Sequence, residues 1–323
     1  MTEESTETKP PFFSVVIPVY NKEPHIARSI NSVLNQTFQD FELTIVCDPS
    51  TDNSNAEVAK FTDPRIRVFH RNEPGPGGYA ARNLGIEKAK AEWIAFLDAD
   101  DEWYPNHLKE TVKLIDVGEF DVVSTSWMDV WPLNEEKPTA FHCSYKEKDS
   151  MSLTREEYLK LASIGKAPNN TNTTTIKKSL LLKIGGFPVC CNRGGDVATW
   201  LRAIWHSGGL LASTTLTAVY HREDSSVTKQ TAPEIEGNCV YLACKEKIIE
   251  PCTNQEKMSL MRFSNHHLSY GLVRRAAIGN LKYQDCKMHY FSVDKLKHIF
   301  FVLYSFLPSL AQKSFWGIYR MVK

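Results

Sequence analysis

A cluster of carboxylates follows a short apolar segment in the first third of the chain. The segment Trp93–Leu97 is apolar throughout, which predicts a strand, and it runs directly into Asp98-Ala99-Asp100-Asp101. Alternating carboxylates at the end of a strand can direct two oxygens toward one point, and such hard ligands suit Mg²⁺ or Mn²⁺. These residues alone leave two interpretations open: a divalent-metal site, or a solvated acidic turn that caps the next helix.

The elements that must position these carboxylates alternate between strand and helix. Short apolar runs predict strands, and apolar residues at helical spacing predict the helices between them. The predicted strands are Phe13–Val19, Phe41–Val46, Ile66–Phe69, Trp93–Leu97 and Asp121–Ser126, and the predicted helices are Glu23–Asn35, Asp52–Phe61 and Tyr79–Ala89. This order predicts a parallel sheet with helices on both faces, which binds ligands at the carboxyl ends of its strands. We therefore expect Tyr20-Asn21, Asp48 and Asp98–Asp101 to share one rim.

The strand–helix pattern weakens after Trp127. The polar segment Lys137–Ser152 predicts a loop, and Thr154 predicts the cap of a following helix. Further predicted elements are a strand at Asn172–Ile176, helices at Lys178–Ile184 and Val197–His206, and extended chain at Leu210–Tyr220. Residues beyond Thr231 are predicted to be helical. The predicted organisation is a disordered leader at 1–11, one half of an α/β domain at 12–126, its second half at 127–231 and a helical extension at 232–323.

The composition of the chain limits which partners it can bind and where in the cell it is expected to work. Lys+Arg and Asp+Glu are both 38 among 323 residues, and this balance argues against a nucleic-acid partner. No targeting pattern and no stretch of about 18 apolar residues is found, which predicts a cytoplasmic protein that is soluble or attached peripherally to a membrane. The eight cysteines lack metal-site spacing, and we expect them to be reduced thiols.

Five segments, taken in order, carry a family resemblance. They are Ser14–Asn21 (SVVIPVYN), Ser32–Phe38 (SVLNQTF), Asp48–Asp52 (DPSTD), Ala81–Gly85 (ARNLG) and Phe96–Asp101 (FLDADD). Together they resemble the inverting glycosyltransferases of family 2, whose GT-A fold is a Rossmann-like mixed sheet flanked by helices. The resemblance resumes at Ile184–Phe187, at Gly195-Asp196 with Trp200–Arg202, and at Val219–Val227.

The resemblance implies a role for individual residues. Those assigned to the nucleotide sugar are Pro18, Val19, Tyr20, Asp48, Arg82, Asp98 and Ala99. Asp48 would accept the N3–H of uracil, so the expected donor is a UDP-sugar. Asp98 and Asp100 would hold Mn²⁺ or Mg²⁺, and Asp196 would be the general base. Residues 12–126 would then bind the nucleotide sugar, and residues 127–231 would bind the acceptor.

Two positions depart from the family pattern. The usual Asp-Asp-Gly-Ser at the end of the second strand is Cys47-Asp48-Pro49-Ser50, and Pro49 stiffens that turn. The Glu-Asp pair of the base motif is Gly195-Asp196, which keeps the aspartate and lacks its acidic neighbour.

Two further features leave alternatives open. His221 is either a surface histidine or a contact for the metal or diphosphate. The glycine-rich loop Gly75–Gly78 is either a flexible loop over the donor or a plain connector.

The C-terminal segment carries an apolar stripe at helical spacing. Its members are Leu296, Ile299, Phe300, Leu303, Phe306, Leu307 and Leu310, extended by Phe315, Ile318, Tyr319 and Val322. Lys295, Lys297, Lys313, Arg320 and Lys323 flank it. Such a basic amphipathic segment either lies on a membrane surface or packs on protein, in this chain or in a second copy.

The leading prediction is therefore a metal-dependent hexosyl- or N-acetylhexosaminyltransferase that adds one sugar to a glycan or lipid-linked glycan acceptor. It would work in the cytoplasm or peripherally on the inner face of the plasma membrane. The alternatives are a nucleotidyltransferase and a non-catalytic protein that binds a sugar nucleotide or a glycan.

Overall fold

The computed structural model describes residues 9–190, 193–222, 238–246, 252–309 and 311–312. Its strands are β1 Phe13–Val19, β2 Phe41–Cys47, β3 Ile66–His70, β4 Trp93–Phe96, β5 Glu102–Trp103, β6 Val122–Trp131, β7 Glu135–Pro138, β8 Ser150–Thr154, β9 Thr174–Lys177 and β10 Gly209–His221. They form one mixed sheet in the order β3-β2-β1-β4-β9-β6-β10-β5, with β7 paired to β6 and β8 to β10.

Helices cover both faces of this sheet, and more follow it at the C-terminal end. They are α1 Ile26–Leu34, α2 Ser54–Ala59, α3 Tyr79–Lys88, α4 His107–Val117, α5 Ala140–Tyr145, α6 Arg155–Ser163, α7 Lys178–Lys183, α8 Gly195–Ser207, α9 Cys239–Ala243, α10 Asn254–Ala277, α11 Tyr283–Cys286 and α12 Lys295–Ser305. The predicted elements of the first half are confirmed with shifts of a few residues at their ends. Thr154 caps α6 in a capping box with Glu157, as predicted.

The strand register creates the predicted rim. β1 pairs in parallel with β2 and with β4, so that Val19 lies opposite Cys47 and Val16 opposite Phe96. β9 runs antiparallel to both β4 and β6, and β6 runs parallel to β10. The chain therefore leaves β1, β2, β4, β6 and β10 at the same edge of the sheet. The expectation that the polar residues after β1, β2 and β4 share one rim is confirmed.

The loop prediction for Lys137–Ser152 is wrong. This polar segment contains the end of β7, all of α5 and most of β8. β7 forms a hairpin with β6, which continues to Trp131 rather than ending at Ser126, and β8 pairs with the start of β10. The helix between them buries Phe141 completely. Pairing with strands distant in sequence stabilises these elements, and local composition does not report such pairing.

The helical C-terminal extension is confirmed over the described residues. α12 buries Phe301 and Tyr304 in a cluster with Leu268 and Leu272 of α10. The apolar stripe lies on the outward face of α12, where Leu296 is 84% exposed. Its members Leu310, Phe315, Ile318, Tyr319 and Val322, with Lys313, Arg320 and Lys323, lie outside the described residues, as do residues 1–8 of the leader. Within the described ranges, no helix has the length and apolarity needed to cross a membrane.

The prediction that every cysteine is a reduced thiol is wrong at Cys239, which is disulfide-bonded. The remaining six cysteines in the described part of the chain are free. Sequence spacing did not reveal this bond because the first residues of α9 approach other parts of the chain only through the tertiary fold, and Cys239 is buried there in the large core beneath α8.

Candidate active site

The turn after β4 is fixed by a buried asparagine. The side-chain oxygen of Asn172 accepts the backbone N–H of Asp98 at 2.8 Å, and its amide donates to Asp101 Oδ2 at 2.5 Å. The other oxygen of Asp101 accepts the backbone N–H of His221 at 2.8 Å. Burial and the charges of Asp100 and Asp98 raise the pKa of Asp101. Asp101 therefore holds the turn to β10, while Asp98 and Asp100 remain at the rim.

Both rim carboxylates are paired with cations. Arg82 donates to Asp98, and Lys22 donates to Asp100. Arg28 also donates to the backbone carbonyl of Asp100. The two aspartate side chains each keep 27% of their surface exposed, so a ligand can reach them.

No group of three or more His, Cys, Asp or Glu side chains is arranged to hold a metal within the described residues. A divalent ion at this turn would accordingly rest on two carboxylates, with its remaining ligands supplied by substrate or water. Hard oxygen donors are the type that Mg²⁺ and Mn²⁺ prefer, so the residues present fit such an ion.

Two residues assigned to the nucleotide pocket have buried side chains. Val19 and Ala99 are 1% and 2% exposed, and both side chains belong to the core around β1 and β2. They can meet a ligand only through their backbone. Tyr20, by contrast, is 43% exposed at the rim, and Pro18 lies next to the Gly78 backbone. Pro18 and Tyr20 thus remain available to line a pocket.

Asp48 connects the second strand to the glycine-rich loop. Its carboxylate accepts from Arg71 Nη1 at 2.7 Å and from the Gly75 backbone N–H at 3.2 Å. Burial and the charge of Asp48 raise the pKa of the adjacent Cys47 thiol to about 11, which keeps this thiol neutral. Arg71 was not identified from the sequence, although it directly follows β3 at the same edge as Asp48.

Arg82 joins the loop to the carboxylate turn. It is buried, pairs with Asp98 and donates from Nη1 to the carbonyl of Gly77 at 2.9 Å. Burial acts to lower the pKa of Arg82, but the charge of Asp98 and its hydrogen bond raise it overall, so the guanidinium stays charged. The loop Gly75–Gly78 is therefore tied at two points, through Asp48 and through Arg82.

Asp196 lies in the first turn of α8, after the N-cap residue Gly194. Burial raises the pKa of Asp196, while the Val197 backbone N–H and the charge of Arg82 oppose this shift. The charge of Asp98 also acts on Asp196. The structure thus brings the predicted base into the same electrostatic environment as Arg82 and Asp98, although Asp98 and Asp196 are 98 positions apart in the sequence.

His221 is an internal contact as well as a rim residue. Its Nε2 lies 2.9 Å from Glu102 Oε1, and its backbone holds Asp101. With Arg28 and Trp131 it lines a cavity of about 400 Å³ beside the carboxylate turn. Two further carboxylate residues, Glu223 and Asp224, follow closely in the sequence and lie outside the described residues.

The mixed sheet with its flanking helices is a GT-A fold. At the carboxyl ends of its strands lie the accessible Asp98 and Asp100 and the buried Arg82, with the partly buried Asp196 nearby. Together they form a candidate nucleotide-sugar site. The family described as Glycosyl transferase family 2 matches residues 14–162. Residues 14–162 therefore belong to glycosyltransferase family 2, as the sequence resemblance predicted.

Individual relatives match a shorter stretch. WfgD of Escherichia coli, named as a UDP-Glc:alpha-D-GlcNAc-diphosphoundecaprenol beta-1,3-glucosyltransferase, is 40% identical over 102 residues, which is 32% of this chain and 40% of WfgD. An uncharacterized glycosyltransferase of Rickettsia bellii is 42% identical over 119 residues, 36% of this chain and 17% of that protein. The chain thus spans well under two thirds of the length of these curated relatives.

The likeness to a solved structure extends over nearly the whole chain. S. aureus TarS 1–349 in complex with UDP-GlcNAc superposes with a TM-score of 0.75 at 19% identity, covering 96% of this chain and 92% of TarS 1–349. At this identity the likeness establishes the fold, and it includes the C-terminal helices.

Proposed function

We propose that this protein is an inverting glycosyltransferase that transfers one sugar from a nucleoside-diphosphate sugar to an acceptor hydroxyl. The observation that carries the proposal is the convergence of Asp98, Asp100, Arg82 and Asp196 at one edge of the sheet. The relatives are consistent with such a donor, since TarS is in complex with UDP-GlcNAc and WfgD is named for transfer from UDP-Glc.

In this proposal Asp196 acts as the general base. The acceptor oxygen attacks the anomeric carbon, the bond from that carbon to the diphosphate oxygen breaks, and its electron pair leaves with the nucleotide. The acceptor proton passes to the Asp196 carboxylate, whose raised pKa makes it a stronger base than an exposed aspartate. Because the acceptor displaces the nucleotide in one step from the opposite face, the anomeric configuration inverts.

The charge that develops on the leaving diphosphate needs compensation. Asp98 and Asp100 would hold Mn²⁺ or Mg²⁺, and a bound divalent ion would neutralise that charge. Lys22 and Arg82 already lie on these two carboxylates, and their ammonium and guanidinium groups are positioned to contribute to the same compensation.

We further propose a uridine nucleotide as the donor. Asp48 is only 2% exposed, so a uracil ring would reach its carboxylate by displacing the Gly75 N–H of the glycine-rich loop from Asp48 Oδ2, and that oxygen would then accept the N3–H. An acceptor at this place suits the N3–H of uracil.

The acceptor would be a glycan or a lipid-linked glycan at a membrane surface. WfgD is named for an acceptor linked to diphosphoundecaprenol. In this chain, α12 and its C-cap residue present Leu296, Leu303 and Phe306 outward, each at least 65% exposed, next to Lys295 and Lys297. Such a surface can insert its apolar side chains among acyl chains while lysines meet anionic head groups. The protein would then act on the inner face of the plasma membrane.

Membrane binding is tested by sedimentation with vesicles that contain anionic lipid. Leu296→Glu with Leu303→Glu should reduce the bound fraction several-fold. Val117→Glu is the matched control, because Val117 is an exposed apolar residue on α4. Unchanged binding of the α12 variant would contradict the membrane proposal.

Two incubations separate the proposed reaction from its alternatives. Purified protein is mixed with Mn²⁺, a panel of UDP-sugars and a GlcNAc-diphospholipid acceptor, and the products are identified by mass spectrometry. A glycosyltransferase yields UDP and an acceptor larger by one sugar. In a parallel incubation with added pyrophosphate, a nucleotidyltransferase would form UTP and a sugar 1-phosphate from the UDP-sugar. A binding protein would yield no product in either incubation while still retaining nucleotide.

A further inference from the structure

Tyr79 lies between the glycine-rich loop and the helix that carries Asp196. It is the first residue of α3 and is 5% exposed. A Cβ atom on Gly77 would lie 2.6 Å from the Tyr79 ring, and one on Gly195 would lie 2.8 Å from it. The ring also stacks on Phe187, with 6.0 Å between the ring centroids. Neither glycine could carry a side chain while Tyr79 occupies this place.

The Tyr79 hydroxyl serves the beginning of α8. Its oxygen accepts the Gly195 backbone N–H at 3.0 Å. The N-cap of α8 is Gly194, which has φ of +74° and no side chain to accept an amide of the first turn. A helix start normally obtains this acceptor from a Ser, Thr, Asp or Asn cap. Here a tyrosine from another helix provides it, directly beside Asp196.

The same ring contacts the donor side of the site. The guanidinium of Arg82 lies 5.8 Å from the centroid of the Tyr79 ring, bonds Gly77 and pairs with Asp98. Burial and the charge of Asp196 raise the pKa of Tyr79, so its phenol remains neutral at physiological pH. Tyr79 therefore connects the loop, the Asp98 turn and the Asp196 helix through contacts that are almost all buried.

We propose that Tyr79 is a positioning residue that fixes the first turn of α8, and with it the Asp196 carboxylate, against the donor-binding loop. Its ring fills the space that a side chain at position 195 would need, which explains why Gly195 precedes the aspartate in this chain. The inference rests on the proposed role of Asp196 as the base.

The hydroxyl is tested with Tyr79→Phe, which keeps the ring. One hydrogen bond to the base helix is lost, and we expect kcat to fall about three- to tenfold. The Kd for UDP should stay within about twofold, because the ring still supports the loop. Tyr158→Phe is the matched control, since Tyr158 is another buried tyrosine whose pKa is raised by burial and by the charge of Asp196. Equal kcat values for Tyr79→Phe and wild type would overturn the role of the hydroxyl.

The role of the Tyr79 ring is tested by adding a side chain at position 195 and removing the ring at position 79. Gly195→Glu introduces the acidic neighbour of the family motif into space that Tyr79 occupies, and it should abolish transfer. Combining it with Tyr79→Ala vacates that space, and turnover should recover at least about tenfold over the Gly195→Glu variant. A double variant no more active than Gly195→Glu alone would refute the steric account.

A readout independent of catalysis separates this inference from the proposed function. Hydrogen–deuterium exchange of a peptide covering residues 193–200 should be faster in Tyr79→Phe than in wild type, because the Gly195 amide loses its acceptor. Exchange in β1 and β2 should be unchanged. If wild type transfers no sugar, the function fails, yet faster exchange still supports the anchoring. Unchanged exchange overturns the anchoring whatever the activity.

Discussion

Replacing Asp196 by Asn separates the chemistry of the site from its architecture. Asn has the same size, and its side-chain oxygen can still accept the Val197 backbone N–H that Asp196 uses. The variant therefore keeps the first turn of α8. It loses the ability to take a proton from the acceptor hydroxyl, and general-base catalysis contributes about 10²–10⁴-fold to a rate. We expect kcat to fall by that factor.

The structure also sets the expected change in stability. A carboxylate at a helix N-terminus contributes about 0.3–1 kcal/mol through the helix dipole, which Asn forfeits. Burial acts in the opposite direction, because it raises the pKa of Asp196 and so disfavours the charged form in the folded state. The two effects oppose each other, and the free energy of unfolding should change by no more than about 1 kcal/mol.

The assay measures kcat, the Kd for UDP and the urea midpoint for wild type, Asp196→Asn and a control. Asp116→Asn on the exposed face of α4 makes the same chemical change away from the site. The UDP affinity of all three proteins should agree within a few-fold. Turnover of Asp196→Asn within a few-fold of wild type would refute the base assignment and leave Asp196 a structural role in the first turn of α8, where it accepts the Val197 N–H. Glu223 and Asp224 would then be the next residues to replace.

Three further predictions concern the metal, the nucleotide and the core. Lys22→Met removes a cation from Asp100, so Mn²⁺ titrated by electron paramagnetic resonance without nucleotide should bind about two- to fivefold more tightly, and weaker binding would contradict the competition. Calorimetry with Mn²⁺ should show tighter binding of UDP than of GDP, and equal or reversed affinities would contradict the uracil assignment of Asp48. Burial lowers the pKa of His107 from 6.5 to about 3. As the pH drops below 6.5, this histidine therefore takes up a proton in the unfolded chain but not in the folded protein, and the free energy of unfolding falls. Urea unfolding should show a loss of about 2 kcal/mol from pH 7 to pH 5 for this group, which His107→Asn should remove; equal losses in both proteins would contradict it.

The rim could be predicted from the sequence because its residues follow strands in a regular way. Each apolar run up to Val19, Cys47 and Phe96 is long enough to be recognised alone, and parallel pairing then brings the residues after them together. The orientation of individual side chains could not be predicted as well from the sequence. The family resemblance assigns Val19 and Ala99 to the nucleotide pocket, yet both side chains are buried in the core.

The connections within the site could not be predicted because their partners are distant in sequence. Asn172 contacts Asp98 and Asp101 from more than 70 residues away, and sequence alone gave it no role in the site. The Tyr79–Gly195 hydrogen bond spans 116 residues. The family departure at Gly195 was a signal that some other residue takes the space before Asp196, but only the fold identifies this residue as Tyr79.

The pairing of charges suggests how the site accommodates its donor. Asp48, Asp98 and Asp100 are each matched by a cation on a different element, namely Arg71, Arg82 and Lys22. A nucleotide diphosphate with a divalent ion brings positive and negative charge in nearly equal amounts. If a divalent ion binds at Asp98 and Asp100 as proposed, it would replace Lys22 at Asp100, and the Lys22 ammonium would become available to a phosphate oxygen. Before the donor arrives, each of the three aspartates is paired with its cation, which makes this site compatible with a stable fold.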